Sequence, residues 1–361
     1  MRIAFDAKRI FHNTSGLGNY GRNLINSLEQ YYPDNDYLLF TPRNGRVPFK
    51  PASSRILYPD TNTPALWRSF SIIRQIAREQ PDIYHGLSNE LPFTMRSAKC
   101  RSAVSVHDVI FRRYPEAYGI IDRNIYHYKT RFAIRHADVI FTSSQATAND
   151  LEQLYGADPG RMVVLFPGVE QIFYEPAEPS AVTENLPTEF FLFVGLGNRR
   201  KNFEIVLEAL SRQSESQRIP VVAVHGPGKY ASAMRLLTTQ RKLEKWVHFI
   251  PSDNAGLRAL YHQAVALIYP SLYEGFGMPV AEALVCNCAV LASDRSSIPE
   301  AGGNAALYFD PEHADALADA MFRIQDDQFR ANCIQKGIAY RERFTPEVLA
   351  GTAMDAYRRL I

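Results

Sequence analysis

Short apolar, β-branched runs alternate with amphipathic helical stretches along this sequence, and the alternation starts afresh halfway along it. That rhythm restricts the fold more than any other feature. A strand, a helix and a second strand close most readily as a parallel pair with the helix laid on one face. In the first half, 2–6, 37–42, 55–59, 83–86, 101–107, 138–143 and 162–166 read as strands, with helices near 18–32, 65–80, 120–136 and 145–155. Leu24, Ile25, Leu28 and Tyr32 share one face of the first of these helices. After the polar, proline-bearing stretch "EPAEPSAVTENLP", strands are expected at 190–195, 221–225, 247–250, 265–269, 289–292 and 306–309, again with helices between. The chain therefore reads as α/β, with two Rossmann-like parallel-sheet domains at 1–170 and 188–343 joined by a linker region, 171–187. A tail helix, 344–361, carries Ala350, Met354 and Tyr357 on one stripe and is free to pack on either domain, the N-terminal one included. Ligands of such sheets sit at the carboxyl ends of the strands, and a cleft between the domains is the default site.

Length and composition agree. A chain of 361 residues suits two domains of roughly 150–200 each, and 46% hydrophobic with 22% charged residues excludes wholesale disorder. Forty Lys and Arg against 38 Asp and Glu give no basic excess of the kind nucleic-acid binding needs. Cys100, Cys286, Cys288 and Cys333 are scattered without metal spacing, as in a reducing compartment. "MRIAFDAKRI" has no apolar signal core, and no run approaches the ~18 apolar residues of a membrane span. The expected location is cytoplasmic, peripheral at the inner membrane face if the membrane is touched at all.

Gly16-Leu17-Gly18-Asn19-Tyr20-Gly21 matches the glycine spacing of a dinucleotide-binding loop. Two features oppose a nicotinamide role. Gly16 comes ten residues after Asp6, and "YLLFTPR" lacks the acidic residue that should close the second strand. What remains is either a plain loop or a cluster of backbone N–H groups at a helix start, reaching for some other phosphate. In the second half, "FLFVGLGNRRKNFEIVLEAL" puts Arg199, Arg200 and Lys201 at a strand's carboxyl end, as a solvated basic turn or an anion dock. "YPSLYEGFGMPVAEAL" then runs from a strand into Gly275-Phe276-Gly277, with Pro279 at a first helical position. Glu274 falls in this loop and Glu282 in the helix's first turn or just beyond. Ionised carboxylates accept hydrogen bonds from hydroxyls, which suits a sugar and a ribose; the plain alternatives are a first-turn charge and a surface loop residue. A glycosidase use of the two carboxylates ranks low, since the phosphate loops would be idle.

With seven residues between them, Glu274 and Glu282 closely resemble the E-x7-E signature of retaining glycosyltransferases of family four, which have the GT-B fold. "RKN" (200–202), "VHDVIFRRYPEAY" (106–118), "HADVIFTSSQATANDL" (136–151) and "SSIPEAGGNAALYFDP" (296–311) resemble that family's blocks in its order, over nearly the whole chain. The resemblance implies a GT-B enzyme that transfers a sugar, with retention, from a nucleotide-diphosphate sugar bound in a cleft faced by both domains. By similarity, Glu274 holds the donor sugar's hydroxyls and Glu282 the ribose, while Lys201 and Arg200 neutralise the diphosphate, with Gly275, Phe276 and Gly277 around it. Gly16 and Gly18 touch the same diphosphate. His107 lies at the donor sugar, with Asp108 positioning its loop on the acceptor side. No cofactor and no metal are implied beyond the donor substrate, and "RKN" is similar to mannosyltransferases, giving GDP-mannose a mild preference. The acceptor would be a glycan or lipid-linked sugar in cell-surface polysaccharide synthesis. An epimerase, a phosphorylase or an inactive sugar-nucleotide binder is the alternative on the same fold.

Three further features stay open. "DND" at 34–36 matches the D-x-D of metal-dependent transferases but falls among ordinary turn residues. His85 ends a strand and is weakly expected on the acceptor side, a satisfied polar residue being the plainer reading. The segment "FRRYPEAYGIIDRNIYHYKTRFAIRH", with Arg112, Arg113, Arg123, Lys129, Arg131 and Arg135, reads either as a solvated face or as a contact with anionic membrane. Where the family usually has C-G-x-P-V the chain has Cys286-Asn287-Cys288-Ala289-Val290, which puts that helix-to-strand turn in doubt.

Overall fold

The computed structural model describes residues 1–43, 45–60, 66–176, 180, 182–226 and 228–361. Residue 65 of one expected helix, and 177–179 and 181 of the expected linker, lie outside the described residues. The chain divides into two compact units: Met1–Gly168 with Phe344–Ile361, and Val169–Arg343.

The first unit holds a seven-stranded sheet: β1 (Arg2–Asp6), β2 (Asp36–Phe40), β3 (Arg55–Leu57), β4 (Ile83–Gly86), β5 (Arg101–Val106), β6 (Val139–Thr142) and β7 (Met162–Val164). Its order is β3-β2-β1-β4-β5-β6-β7, every pair parallel, with Ile3 opposite both Tyr37 and Ile83. Helices cover both faces of such a sheet, so its central strands are buried on both sides, and Ile83–Gly86 is buried at every position, the polar His85 included. One face packs on Gly16–Tyr31 and on the final helix, Pro346–Arg358, through Leu24, Leu28, Leu349, Ala353, Met354 and Tyr357. That final helix is started by Thr345, whose side chain accepts the Val348 N–H, with Pro346 in its first turn. The other face packs on Ile72–Glu79 and Ile120–His136.

Two local expectations are corrected. The nine residues between Asp6 and Gly16 are not a plain loop: Lys8–His12 is a one-turn helix with Ile10 and Phe11 buried in the core. The helix expected over 65–80 is a π-helical turn at Trp67–Ser71 running into Ile72–Glu79, with the Trp67 indole donating to Gln75 Oε1 at 2.6 Å.

The second unit holds six parallel strands: β8 (Phe191–Val194), β9 (Val221–Val224), β10 (Val247–Ile250), β11 (Ala266–Tyr269), β12 (Ala289–Ser293) and β13 (Leu307–Phe309), in the order β10-β9-β8-β11-β12-β13. The turn before β12 forms without the family's glycine and proline because Asn287 takes the left-handed conformation (φ 56°), which asparagine tolerates best after glycine. Arg341 holds it, donating to Asn287 Oδ1 at 2.8 Å and to Val285 O at 3.0 Å. Cys286 and Cys288 are buried core residues.

Candidate active site

In the second unit the chain leaves β8 toward β9 on one side, and β11 toward β12 on the other. Such a reversal opens a crevice at the carboxyl ends of the two central strands. Both strand ends carry chemistry. After β8 come Gly195 (φ 92°) and a 3-10 turn, Arg199–Lys201, closed by Asn202 in the left-handed conformation (φ 57°). The Asn202 side chain donates to Pro311 O at 2.8 Å and Pro270 O at 3.3 Å, and the Leu272 N–H donates to Arg200 O at 2.9 Å. The loop after β8 is thereby laced to the loop after β11.

This lacing brings two cations onto one carboxylate oxygen. Glu274 Oε1 lies 2.6 Å from Arg200 Nη1 and 2.7 Å from Lys201 Nζ, all three side chains less than 15% exposed. Lys201 also donates to the Tyr269 hydroxyl at 2.8 Å and sits 4.8 Å from that ring's centroid. Burial alone would push the Glu274 carboxyl up, but Lys201 and then Arg200 hold it below the usual carboxylate value. Two cations and one carboxylate leave a net positive charge in a poorly solvated crevice, an arrangement that favours an anion. Serines fix the loop: Glu274 N–H donates to Ser296 Oγ at 2.8 Å, and the Ser297 hydroxyl lies 2.9 Å from Glu274 O and 3.0 Å from Phe276 O. Gly277 caps the helix Met278–Val285 at φ 112°, which a side chain rarely adopts; Pro279 is its second residue, not its first. Glu282 lies beyond the first turn and accepts from the Tyr261 hydroxyl at 2.9 Å. Burial pushes its carboxyl up to about 7, with Tyr261 opposing and Glu170 adding to the shift.

In the first unit, Gly16 opens the helix Gly16–Tyr31 with open space around it, whereas a Cβ on Gly18 would lie 1.9 Å from Asn13 O. His107 follows β5 and contacts Leu87 O through Nε2 at 2.8 Å. A carbonyl only accepts, so Nε2 carries the proton and Nδ1 keeps its lone pair. Burial, offset in part by that carbonyl and helped by Arg9, pushes His107 down to about 4, so the ring is neutral at pH 7. Tyr20 packs edge-on against it, centroids 4.5 Å apart. Asp108 turns Oδ1 to the Ile110 amide at 3.0 Å, and Asn89 bridges the loop by donating to Asp108 O and accepting from His107 N–H. His85 does not line a surface. It is 0% exposed at the centre of the sheet, between Tyr357 Oη (2.6 Å) and Ser105 Oγ (2.8 Å), so the expected acceptor contact is replaced by a role in the core. The "DND" triplet sits at the amino end of β2, away from the strand ends that carry these loops: Asp36 pairs with Arg2 at 2.6 Å, and Asn35 Oδ1 accepts from the chain's amino terminus. No group of three metal-ligating side chains occurs among the described residues.

Tyr261, Tyr269, Asn202, Ser296 and Ser297 were not marked by sequence reasoning as site residues. The signal was present: Tyr269 ends a central strand, and the others lie in or beside the loops that resemble the family's blocks.

Residues 14–171 match the family model described as Glycosyltransferase Family 4, and residues 175–340 the one described as Glycosyl transferases group 1. The chain belongs to glycosyltransferase family 4. Along its entire length this family member is 27% identical to the O-antigen chain mannosyltransferase B of Escherichia coli, covering all of that protein too. It is 25% identical to the O-antigen chain mannosyltransferase RfbU of Salmonella typhimurium over 62% of this chain and 60% of that one. Among solved structures, sucrose-phosphate synthase from Thermosynechococcus elongatus superposes with a TM-score of 0.78 at 21% identity, covering 100% of this chain and 99% of that one. Anabaena HepE, solved with UDP and glucose, gives 0.76 at 16%, covering 99% and 100%. At these identities the structures establish the fold, which is GT-B.

Proposed function

We propose that this transferase is a retaining, metal-independent hexosyltransferase, moving mannose from GDP-mannose to a glycan or lipid-linked acceptor in cell-surface polysaccharide synthesis. The observation that carries the proposal is the convergence of Arg200 and Lys201 on Glu274 at the carboxyl ends of β8 and β11. Breaking the bond from sugar to diphosphate builds negative charge on the leaving group, and fixed buried cations stabilise that charge without reorganising. Lys201 and Arg200 do for the diphosphate what a divalent metal does elsewhere. Glu274 accepts hydrogen bonds from the donor sugar's hydroxyls, Glu282 from the ribose, and the Gly275–Gly277 turn lets the backbone approach the phosphates. His107 offers Nδ1 to a sugar hydroxyl, with Asp108 holding its loop. The helix start at Gly16–Gly18 is an anion contact of the first unit. The O-antigen mannosyltransferases among the relatives support mannose and a surface glycan.

The test is transfer by purified protein from GDP-mannose, with excess EDTA, to mannosyl glycosides, the anomer of the product read by NMR. Retention with EDTA-insensitive turnover supports the proposal. An inverted product, or loss of turnover restored by a divalent ion, sinks the corresponding part.

The proposal includes a peripheral contact with anionic membrane. Ile120, Ile121, Ile125 and Tyr128 on the helix Ile120–His136 are 70%, 75%, 47% and 68% exposed, with exposed Arg131 and Arg135 on the same helix. Tyr128 and Phe132 continue the patch onto Phe93 and exposed Phe70. Apolar side chains beside cations suit an interface with acidic headgroups. No described helix is long and apolar enough to cross a membrane. Flotation with vesicles containing phosphatidylglycerol should carry the protein at low salt; Ile121→Asn/Ile125→Asn should abolish this, and no flotation of the wild type removes the contact.

A further inference from the structure

The first unit has its own crevice, where its strand order reverses between β1 and β4, and the side chains there are almost all paired. Asp6 holds Arg68 at 2.6 Å, Arg68 lies 3.1 Å from Glu90, and Lys129 reaches Glu90 at 2.9 Å. Two acids and two bases make this chain neutral. Asp108 is turned onto the Ile110 amide. Two cations are left over among the described residues, Lys8 and Arg9, and of these Arg9 lines the cavity beside His107. The Arg9 side chain is half-buried and makes no hydrogen bond or ion pair among the described residues, and its Nε is sealed from solvent without a partner.

Arg9 lines a cavity of about 140 Å³ together with Asn89, Glu90, His107, Tyr126 and Lys129. At about 30 Å³ per water, the space suits some five waters, or one phosphate with the first atoms of whatever bears it. A buried guanidinium N–H without an acceptor is costly, and its planar fork matches the two oxygens of a phosphate better than any single hydroxyl. Asn89 holds a left-handed conformation (φ 55°) at the cavity wall, and its side chain ties the loop after β4 to His107. The wall is therefore braced before any ligand arrives.

The geometry points to this cavity as an oxyanion subsite of the first unit, in which Arg9 takes the phosphate of a phosphate-bearing acceptor beside His107. The inference rests on reading the chain as a sugar transferase, but its first test does not. Inorganic phosphate is titrated calorimetrically into wild type, Arg9→Lys and Arg9→Ala. With nucleoside diphosphate saturating the Arg200–Lys201 crevice, wild type should show one phosphate binding event that Arg9→Ala weakens at least tenfold and Arg9→Lys partly keeps. Nucleoside diphosphate binding, titrated separately, should be unchanged in all three. Arg9 has no protein partner to lose, so the alanine variant should unfold like wild type. Equal phosphate binding by wild type and Arg9→Ala overturns the subsite. In the second arm, phosphate inhibits transfer. Competition against the acceptor supports an acceptor-borne phosphate, and competition against the donor alone overturns it. Failure to transfer from any nucleotide sugar would sink the transferase reading while leaving the phosphate titration to judge Arg9.

Discussion

In the second unit the reversal of strand order between β8 and β11 gathers two cations onto one buried carboxylate; in the first, the reversal between β1 and β4 gathers a self-neutralising chain of ion pairs, the unpaired Arg9 and the neutral ring of His107. The sheets are built alike, from parallel strands with buried central members, so the difference lies in the loops. A site with excess charge in a dry crevice acts through fixed electrostatics, whereas a neutral imidazole with a defined tautomer acts through directed hydrogen bonds. On the proposed function the first suits a departing diphosphate and the second a sugar.

The largest expected effect separates these roles. Lys201→Ala should lower kcat by about 10²–10³, the loss typical of removing one group that stabilises a developing oxyanion. His107→Ala, which on the proposed function removes one hydrogen-bond partner of the sugar, should cost a smaller factor, about 10–10². Release of nucleoside diphosphate in a coupled assay measures both, with circular dichroism to confirm folding. Equal losses, or a larger one at His107, would break the comparison.

Next come two glycines, one per unit. Gly277 holds φ 112°, and a Cβ on Gly18 would meet Asn13 O at 1.9 Å, so Gly277→Ala and Gly18→Ala should each destabilise by about 1–3 kcal/mol in urea unfolding. They should differ in ligand binding. Gly277 shapes the loop that carries Glu274, and its variant should weaken nucleoside diphosphate binding measurably. If folded Gly18→Ala binds the nucleotide as wild type does, the Gly16–Gly18 helix start has only a structural role, and Gly18 is glycine because Asn13 leaves no room.

How much of this was legible beforehand differs between fold and site. Strand positions came within one or two residues in nearly every case, because fully buried parallel strands such as Phe191–Val194 and Val221–Val224 are unbroken apolar runs. Helix 120–136 was equally plain. The turn at Lys8–His12 was missed, since five residues with two apolar side chains carry no period. The charged site residues could be named from strand ends and family blocks. Their partners could not: Tyr269 and Tyr261 lie 68 and 21 residues from Lys201 and Glu282, and only folding brings each pair together. His85 shows the reverse failure. A histidine at a strand end looks available, and nothing local reveals that Tyr357, 272 residues later, covers it.

The smallest effect is on stability against pH, and it should have opposite signs in the two units. His85 is pushed down to about 3 and His107 to about 4, chiefly by burial. An unfolded histidine titrates near 6.5, so as pH falls below that value the unfolded chain takes up protons the folded first unit refuses, and stability is lost. Glu282 behaves the other way. Its folded value of about 7 lies above the unfolded carboxyl range near 4.5, so its contribution is complete below 4.5 and is lost as pH rises through 7. Each change should be on the order of 1 kcal/mol over the accessible range. Urea midpoints from pH 5 to 8 should therefore fall on both flanks. Glu282→Gln should flatten the alkaline flank and leave the acid one, and His107→Gln should do the converse. Hydrogen exchange, read separately over Met1–Gly168 and Val169–Arg343, assigns each flank to its unit. An alkaline flank that survives Glu282→Gln would show that Tyr261 holds an ordinary ionised carboxylate there, and the electrostatic contrast between the units would then rest on Arg200, Lys201 and Glu274 alone.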